Sequence, residues 1–227
     1  MGKTQAVRHA LTRELVNYPL LFNSLLAATL APRCAACARV LDAPLDGPVC
    51  VWCWREAFAA AGRYEGALRR IIHAFKYEGR RSLGRPLGAM LKAGAAESLH
   101  QADCAVPVPL YPWRRLRRGF NQAADLAREL DLPVVHALWR TRATAPQTGL
   151  TAVARRRNVA GAFRPSPLLS RRTRAALIAN RVVVLVDDVM TTGATLSACA
   201  EVLQDAGARE VRTVTVARAH RSSGRST

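Results

Sequence analysis

Two adjacent carboxylates, Asp187 and Asp188, close the apolar run Val182–Val186, and a small hydroxyl-rich loop, Thr191-Thr192-Gly193-Ala194-Thr195, follows them. Paired acids can accept hydrogen bonds from vicinal hydroxyls or face a divalent cation. The loop offers a glycine that turns without a Cβ and three threonine hydroxyls as donors. A helix starting there adds unpaired N–H groups and a dipole that favours an anion. Such a phosphate cradle with acids beside it suits a sugar phosphate. The cradle takes the phosphate, and the acids take hydroxyls with Mg²⁺ in support. The bland alternative is an ordinary turn with aspartate as helix cap. Two acids and three threonines around one glycine, at the end of a buried strand, disfavour it. The lysine and Gly-rich run of a Walker A loop are missing, as is Gly-x-Gly-x-x-Gly.

These groups need a strand before them and a helix after. Val182–Val186 is apolar without interruption, as in a central strand covered on both faces. Period two then points Asp187 and Asp188 in different directions, so they need not share one proton. Helices are expected around Gly66–Phe75 and Ser82–Ala93. A short strand in "DCAVPVPLYPW" ends at its prolines. "RRLRRGFNQAADLARELDL" reads as a basic loop feeding a helix, with Gly119 as the joint. "VVHALWRTR" is strand-like, and 143–180 is arginine-rich with weak periodicity. Residues 195–206 form a helix closed by Gly207, and "EVRTVTVARA" alternates as a last strand. This order predicts an α/β domain around a mostly parallel sheet with flanking helices. Ligands of such sheets bind beyond the carboxyl ends of the strands.

Four of the six cysteines fall in two Cys-x-x-Cys pairs, Cys34/Cys37 and Cys50/Cys53, separated by twelve residues with Pro and Gly turn signals. Two such knuckles fit a four-thiolate structural zinc site, a small zinc ribbon that leaves no open coordination position. The rival is a redox pair, which expects one motif at the head of a helix in a βαβ unit. Zinc would staple a module too small to bury a core of its own. Cys104 and Cys199 read as buried core thiols. Val51, Trp52 and Trp54 either pack on the body or offer a stacking platform for bases; packing is the favoured reading.

The chain has 227 residues, is 50% hydrophobic and 22% charged, and carries a formal net charge of +18. Of its 34 basic residues only Lys3, Lys76 and Lys92 are lysine. Arginine is a planar, bidentate phosphate binder. The positive field favours phosphorylated metabolites, nucleic acid or an acidic lipid surface, against plain solubility as the alternative. No apolar run reaches the ~20 residues of a membrane span. Leu15 to Ala31 comes nearest and reads as an amphipathic helix with Leu11, Leu15, Tyr18, Phe22, Leu25 and Leu26 on the face that docks on the body. No signal-peptide layout is visible, so a cytoplasmic protein is expected. The expected divisions are 1–31 as the N-terminal helix, 32–58 as the ribbon, 59–219 as the main domain and 220–227 as a disordered basic tail.

"VVVLVDDVMTTGAT" closely resembles the phosphoribosyl-pyrophosphate motif of type I phosphoribosyltransferases. The chain from about Cys34 to Ala217 resembles the ComF-type subgroup, linked to natural competence and DNA uptake. The subgroup's marks are the four-cysteine ribbon and the segments Phe75–Arg80, Val106–Gln122 and Gln147–Phe163. The resemblance implies phosphoribosyl pyrophosphate or a related ribose phosphate as ligand. Asp187 and Asp188 would hold the ribose 2- and 3-hydroxyls, and Thr191, Thr192, Gly193, Ala194 and Thr195 the 5-phosphate. Leu110 and Tyr111 would form the pyrophosphate loop, with Arg114, Arg115, Arg117 and Arg118 as countercharge. Lys76 is a further phosphate contact. Arg155, Arg156, Arg157 and Asn158 would form a mobile flap. His73 reads as structural or as a minor phosphate contact. Purine-salvage members carry an acid where Thr191 stands, so no general base is assigned. Single-stranded DNA and an uptake helicase are the implied partners. An active Mg²⁺-dependent transferase with an unknown acceptor and a non-catalytic DNA-binding adaptor remain the alternatives.

Overall fold

The computed structural model describes residues 22–60, 62–143 and 161–219. A helical stretch, α1 (22–30), precedes the two cysteine knuckles. The elements after it are α2 (Val51–Ala59), α3 (Gly66–Tyr77), α4 (Gly84–Gly94), α5 (Ala96–Leu99), β1 (Cys104–Pro107), α6 (Pro112–Arg118) and α7 (Gln122–Arg128). Then come β2 (Leu138–Arg140), β3 (Phe163–Pro165), α8 (Arg171–Ile178), β4 (Val182–Met190), α9 (Ala194–Asp205) and β5 (Glu210–Arg218).

β4 lies between β1 and β5, parallel to both, with Val106 opposite Leu185 and Val186 opposite Val214. Period two sorts its side chains onto two faces. Val184 and Val186 join one core with Leu68, Ile71, Ile72 and Phe75 of α3 and Leu126 of α7. Val183 and Leu185 join the other with Leu196, Cys199 and Leu203 of α9 and Ile178 of α8. Each of these Val, Leu, Ile and Phe side chains contributes roughly 1.5–3 kcal/mol by leaving water. A single bridge from Val134 to Ala105 extends the sheet past β1, and one from Arg63 to Arg218 extends it past β5. β2 and β3 form a separate antiparallel pair, with Trp139 opposite Arg164.

The elements depart from sequence expectation at four places. β4 continues to Met190, so both acids lie inside the strand rather than beyond it. Its ladder with β5 persists to Met190 opposite Arg218. "PWRRLRR" is a helix, not a loop; Pro112 opens it and Gly119, at φ 77°, ends it in the left-handed conformation. "VVHALWRTR" is divided, Val134 pairing with β1 and 138–140 with β3. The stretch 143–180 contains β3 and α8, whose first turn is capped by Ser170 Oγ accepting from the Thr173 N–H at 3.0 Å. Apart from Ile178, α8 buries none of its side chains, so hydrophobic periodicity has little to report there.

The cysteine module packs on the body rather than standing off it. Cys34, Leu41, Val49, Cys53 and Ala57 belong to the same core as α3 and α4. Glu56 of α2 also accepts the Ala67 N–H at 2.7 Å, closing the start of α3. In α1, Phe22 and Leu25 are exposed instead of docking on the body. Its buried side chain is Asn23, whose Oδ1 accepts the Leu45 N–H at 2.8 Å. Leu11, Leu15 and Tyr18 lie outside the described residues. No described helix is long and apolar enough to cross a membrane.

Candidate functional site

A cavity of about 380 Å³ opens at the carboxyl end of β4. Three sides are set by topology. The floor is the end of β4 with the loop that leads into α9, contributing Asp187, Asp188, Thr191, Gly193, Ala194 and Thr195. One wall is the turn after β1 with α6 and α7: Val108, Leu110, Arg114, Arg118, Asn121 and Gln122. The other is Tyr64, Arg69, Lys76 and Tyr77, from α3 and the residues before it. Arg140 of β2 reaches in from the antiparallel pair.

The two acids face different neighbours, as their one-residue offset requires. Asp188 shares the face of Val184 and Val186, against α3, where Lys76 Nζ meets its Oδ1 at 2.7 Å. Both side chains are nearly buried. Burial disfavours the ammonium, but attraction to Asp188 and then Asp187 outweighs it and holds the Lys76 pKa above the usual lysine value. Asp187 shares the other face, where its charge is felt by Cys199 and Arg140. Its Oδ1 accepts the Asp188 N–H at 2.9 Å. Although the residue keeps some surface, its carboxyl is enclosed by protein. Burial and the neighbouring Asp188 push its pKa up to about 7 against the pull of Lys76 and Arg140.

Backbone and side chains brace the turn after β1. The Val108 N–H donates to the Val186 carbonyl at 2.9 Å, carrying the ladder past β1. Asn121 Nδ2 donates to the Val108 carbonyl at 3.1 Å, and its Oδ1 caps α7. Arg118 lies over the Tyr77 ring at 4.7 Å and donates to Gln122 Oε1 at 3.0 Å. That bond fixes the Gln122 amide, because the opposite orientation would set donor against donor. It leaves Gln122 Nε2 buried with no hydrogen-bond partner among the described residues. Gly193 stands at φ 77° as the N-cap of α9, a conformation glycine adopts without the Cβ penalty.

The four knuckle cysteines converge as well. All four sulfurs lie within 4.8 Å of one another, positioned to bind a metal. An antiparallel bridge between Arg33 and Val40 folds the first knuckle. Cys50 is the N-cap of α2, and Cys53 sits in its first turn. The N–H groups of Cys50 and Ala36 point at Cys34 Sγ at 3.3 and 3.4 Å. Burial raises the Cys34 pKa, but these donors outweigh it and bring the thiol down to about 7. Burial, then the neighbouring thiols and the Cys34 charge, push Cys53 far up. A divalent cation held by the four sulfurs would remove that repulsion. The second pair does lie at a helix head, as a redox motif would. The other pair converging on it favours a four-sulfur metal centre.

The family model for the phosphoribosyl transferase domain matches residues 116–226. Competence protein F of Haemophilus influenzae is 36% identical over 168 residues, 70% of this chain and 71% of that protein. The DNA utilization protein YhgH of Escherichia coli strain K12 is 32% identical over 203 residues, 81% and 82% of the two chains. This chain belongs to the ComF family. A more distant ComF relative, competence protein ComFC of Streptococcus pneumoniae, is 25% identical over 172 residues, 74% of this chain and 72% of that protein.

Several expected site residues of this ComF chain stand elsewhere. Arg115 lies on the far side of the turn, lining a second cavity of about 580 Å³ with Phe120, His136 and Trp139. One step along a helix turns a side chain by about 100°, so Arg114 and Arg118 share a face that Arg115 leaves. Tyr111 lines neither cavity; its carbonyl accepts the Arg115 N–H at 3.0 Å and starts α6. Thr192 is not in the wall, and its hydroxyl is buried without a partner among the described residues. Lys76 does line the β4 cavity, where it is paired with Asp188. His73 stacks on Tyr77 at 4.8 Å and sits 3.5 Å from Glu78, outside the cavity. Arg155, Arg156, Arg157 and Asn158 lie outside the described residues. Cys104 and Cys199 are buried thiols whose pKa burial raises, Cys104 to about 11. Trp54 packs into the core near Phe58, while Val51 and Trp52 stay exposed, with Arg55 over the Trp52 ring at 5.3 Å.

Sequence reasoning missed Tyr64, Arg69, Asn121, Gln122 and Arg140 as cavity residues. Only Asn121 and Gln122 carried a local signal, ending the quoted segment Val106–Gln122. Arg140 is a buried arginine in a three-residue strand, over the Phe163 ring at 5.2 Å. Burial and nearby Arg114 hold its pKa below the usual guanidinium value.

Proposed function

We propose that this protein binds phosphoribosyl pyrophosphate, or a related ribose phosphate, together with Mg²⁺, and acts in the cytoplasm in the uptake and use of DNA. One observation carries the ligand assignment. Two acids and the glycine-turned loop before α9 border one cavity whose other charged lining groups, among the described residues, are all cations: Arg69, Lys76, Arg114, Arg118 and Arg140. Five cations against two acids suit a polyanion that also offers hydroxyls. In this reading the loop 191–195 takes the 5-phosphate with the first N–H groups of α9. Asp187 and Asp188 accept from the ribose 2- and 3-hydroxyls. Arg114 and Arg118 face the diphosphate. Mg²⁺ fits the hard oxygen donors of the acids, and when bound it supplies neutralisation of diphosphate charge. The four thiolates fit zinc, held as a structural centre in a ribbon over 32–58. The main domain spans 59–219.

The setting in DNA uptake rests on the names of the relatives, competence protein F and a DNA utilization protein. Single-stranded DNA and an uptake helicase are the partners it implies, and the net charge of +18 suits the former. An active phosphoribosyltransferase is the second reading, favoured by the intact acid pair. Threonine at 191 supplies no base there, so the acceptor would have to bring or find its own.

Isothermal titration with phosphoribosyl pyrophosphate, with and without Mg²⁺, tests the proposal. Binding should depend on the metal and be lost in the Asp187→Asn/Asp188→Asn double variant. Equal heats from wild type and double variant would refute the assignment. Pyrophosphate release on adding nucleobases or amines would establish the transfer reading.

A further inference from the structure

The Lys76–Asp188 pair is an ion pair inside the ligand cavity, made by elements far apart in sequence. Lys76 sits in the last turn of α3, and Asp188 in β4. Their contact is close, 2.7 Å, and both side chains are largely withdrawn from water. A pair of this kind is held by mutual attraction against a desolvation cost borne by both ions. Losing one partner leaves the other charge stranded.

A bare divalent cation entering this cavity meets an unfavourable field. Asp188 already has a cation on Oδ1. Asp187 Oδ1 already accepts the Asp188 N–H. Arg69, Arg114, Arg118 and Arg140 stand in the same walls. Placing a metal beside Asp188 requires the ammonium to leave, and the ammonium then needs another anion within reach. The phosphate oxygens of a sugar phosphate would provide one; water and chloride are poor substitutes for a lysine so largely withdrawn from solvent.

On the reading that the cavity takes a ribose phosphate, we propose that Lys76 is a positioning residue that makes metal binding conditional on the sugar phosphate. It occupies the cation's place beside Asp188 in the free protein and passes to a ligand phosphate oxygen when metal and ligand enter together. Metal and sugar phosphate therefore bind with strong positive coupling. The device explains why a lysine stands here in a chain with only three, since an ammonium on a flexible stem changes partner more readily than a planar guanidinium fork.

Mn²⁺ uptake by the full-length, zinc-loaded chain, read by electron paramagnetic resonance without any nucleotide, tests this directly. Lys76→Met should bind bare Mn²⁺ at least tenfold more tightly than wild type. Lys76→Arg should stay as weak as wild type, and adding Asp188→Asn to Lys76→Met should erase the gain. Circular dichroism and thermal melts identify variants that fail to fold. If Lys76→Met destabilises the chain, Lys76→Gln, which keeps a polar head without the charge, takes its place and should show the same gain over wild type. Wild type should in addition take up Mn²⁺ at least tenfold more tightly with phosphoribosyl pyrophosphate present, after subtracting metal held by the free sugar diphosphate. Equal bare-metal affinity in folded wild type and Lys76→Met would overturn the proposal, as would wild-type Mn²⁺ binding that ignores the ligand. Failure of the ribose phosphate reading looks different. Wild type would then show no uptake of the sugar diphosphate, while the bare-metal comparison still reports on Lys76.

Discussion

The cysteine cluster and the β4 cavity both gather charged or ionisable groups at one point, yet they are assembled in opposite ways. The cluster draws its four sulfurs from two short motifs, Cys34–Cys37 and Cys50–Cys53, and points them all inward at one another. The cavity takes its floor from one motif and its walls from α3, α6, α7 and β2. A closed site is complete in its own spacing. An open site must leave room for a ligand, and the groups that flank that room are supplied by whichever elements the sheet topology brings alongside.

If the cluster is a closed structural centre, losing its metal is the largest effect available. Cys50→Ser or Cys53→Ser should abolish the one zinc per chain measured by elemental analysis. Because metal affinity is folding energy in such modules, stability should fall by several kcal/mol, on the order of 5. The loss should spread into the body, since Cys34, Cys53 and Ala57 share the α3 core. A thermal midpoint unchanged by chelation, with all four thiols then reactive, would reverse the comparison and make the cluster the dispensable region.

The open site should instead carry strain that a ligand relieves. Asp187 binds its proton more tightly in the folded chain, with a pKa raised from 3.8 to about 7. The folded state therefore holds more protons than the unfolded state between those values. Stability must fall as pH rises from about 4 to about 7 and stay low above that. Asp187→Asn should be more stable than wild type at pH 8 by on the order of 2 kcal/mol, and the two should converge near pH 4. Denaturant melts across pH measure it; a variant less stable than wild type at pH 8 would show that the acid is not strained.

Gly193→Ala comes next. The left-handed φ of 77° costs a residue with a Cβ about 1–2 kcal/mol, and among the described residues no neighbour lies closer than 3.8 Å to the added carbon. Its melting temperature should drop by a few degrees while ligand affinity falls more, because the loop amides lose their aim. The smallest effect is the sharpest about geometry. Arg118→Ala should weaken ribose diphosphate binding about tenfold, roughly 1.4 kcal/mol, and Arg115→Ala should leave it unchanged. Equal losses in calorimetry would mean that the turn after β1 presents both faces of α6 to the ligand.

Legibility in the sequence follows the same division. The α/β class, the parallel sheet, β4, α9 and the knuckles were readable because each is announced by a local pattern of apolar period, turn residues or paired cysteines. The floor of the cavity was readable for that reason too. Lys76 is legible as a phosphate contact but its pairing with Asp188 is not, since nothing local says that α3 crosses the face of β4 carrying Asp188. As a loop, "RRLRR" offers Arg114, Arg115 and Arg118 alike; as a helix it separates Arg115 from the other two onto a different face. α8 was invisible to periodicity because it buries a single side chain, although Ser170 was there as a cap. Tyr64, Arg69 and Arg140 carry no local mark at all, and only the adjacency of their elements to β4 makes them neighbours of the acids.

A crystal structure of the protein with ribose 5-phosphate and Mg²⁺ tests the central claim most directly. Phosphorus density should lie within hydrogen-bonding reach of the main-chain N–H groups of 191–195, with the ribose hydroxyls on Asp187 and Asp188. A phosphate bound elsewhere, with that loop empty at saturating ligand, would contradict the account.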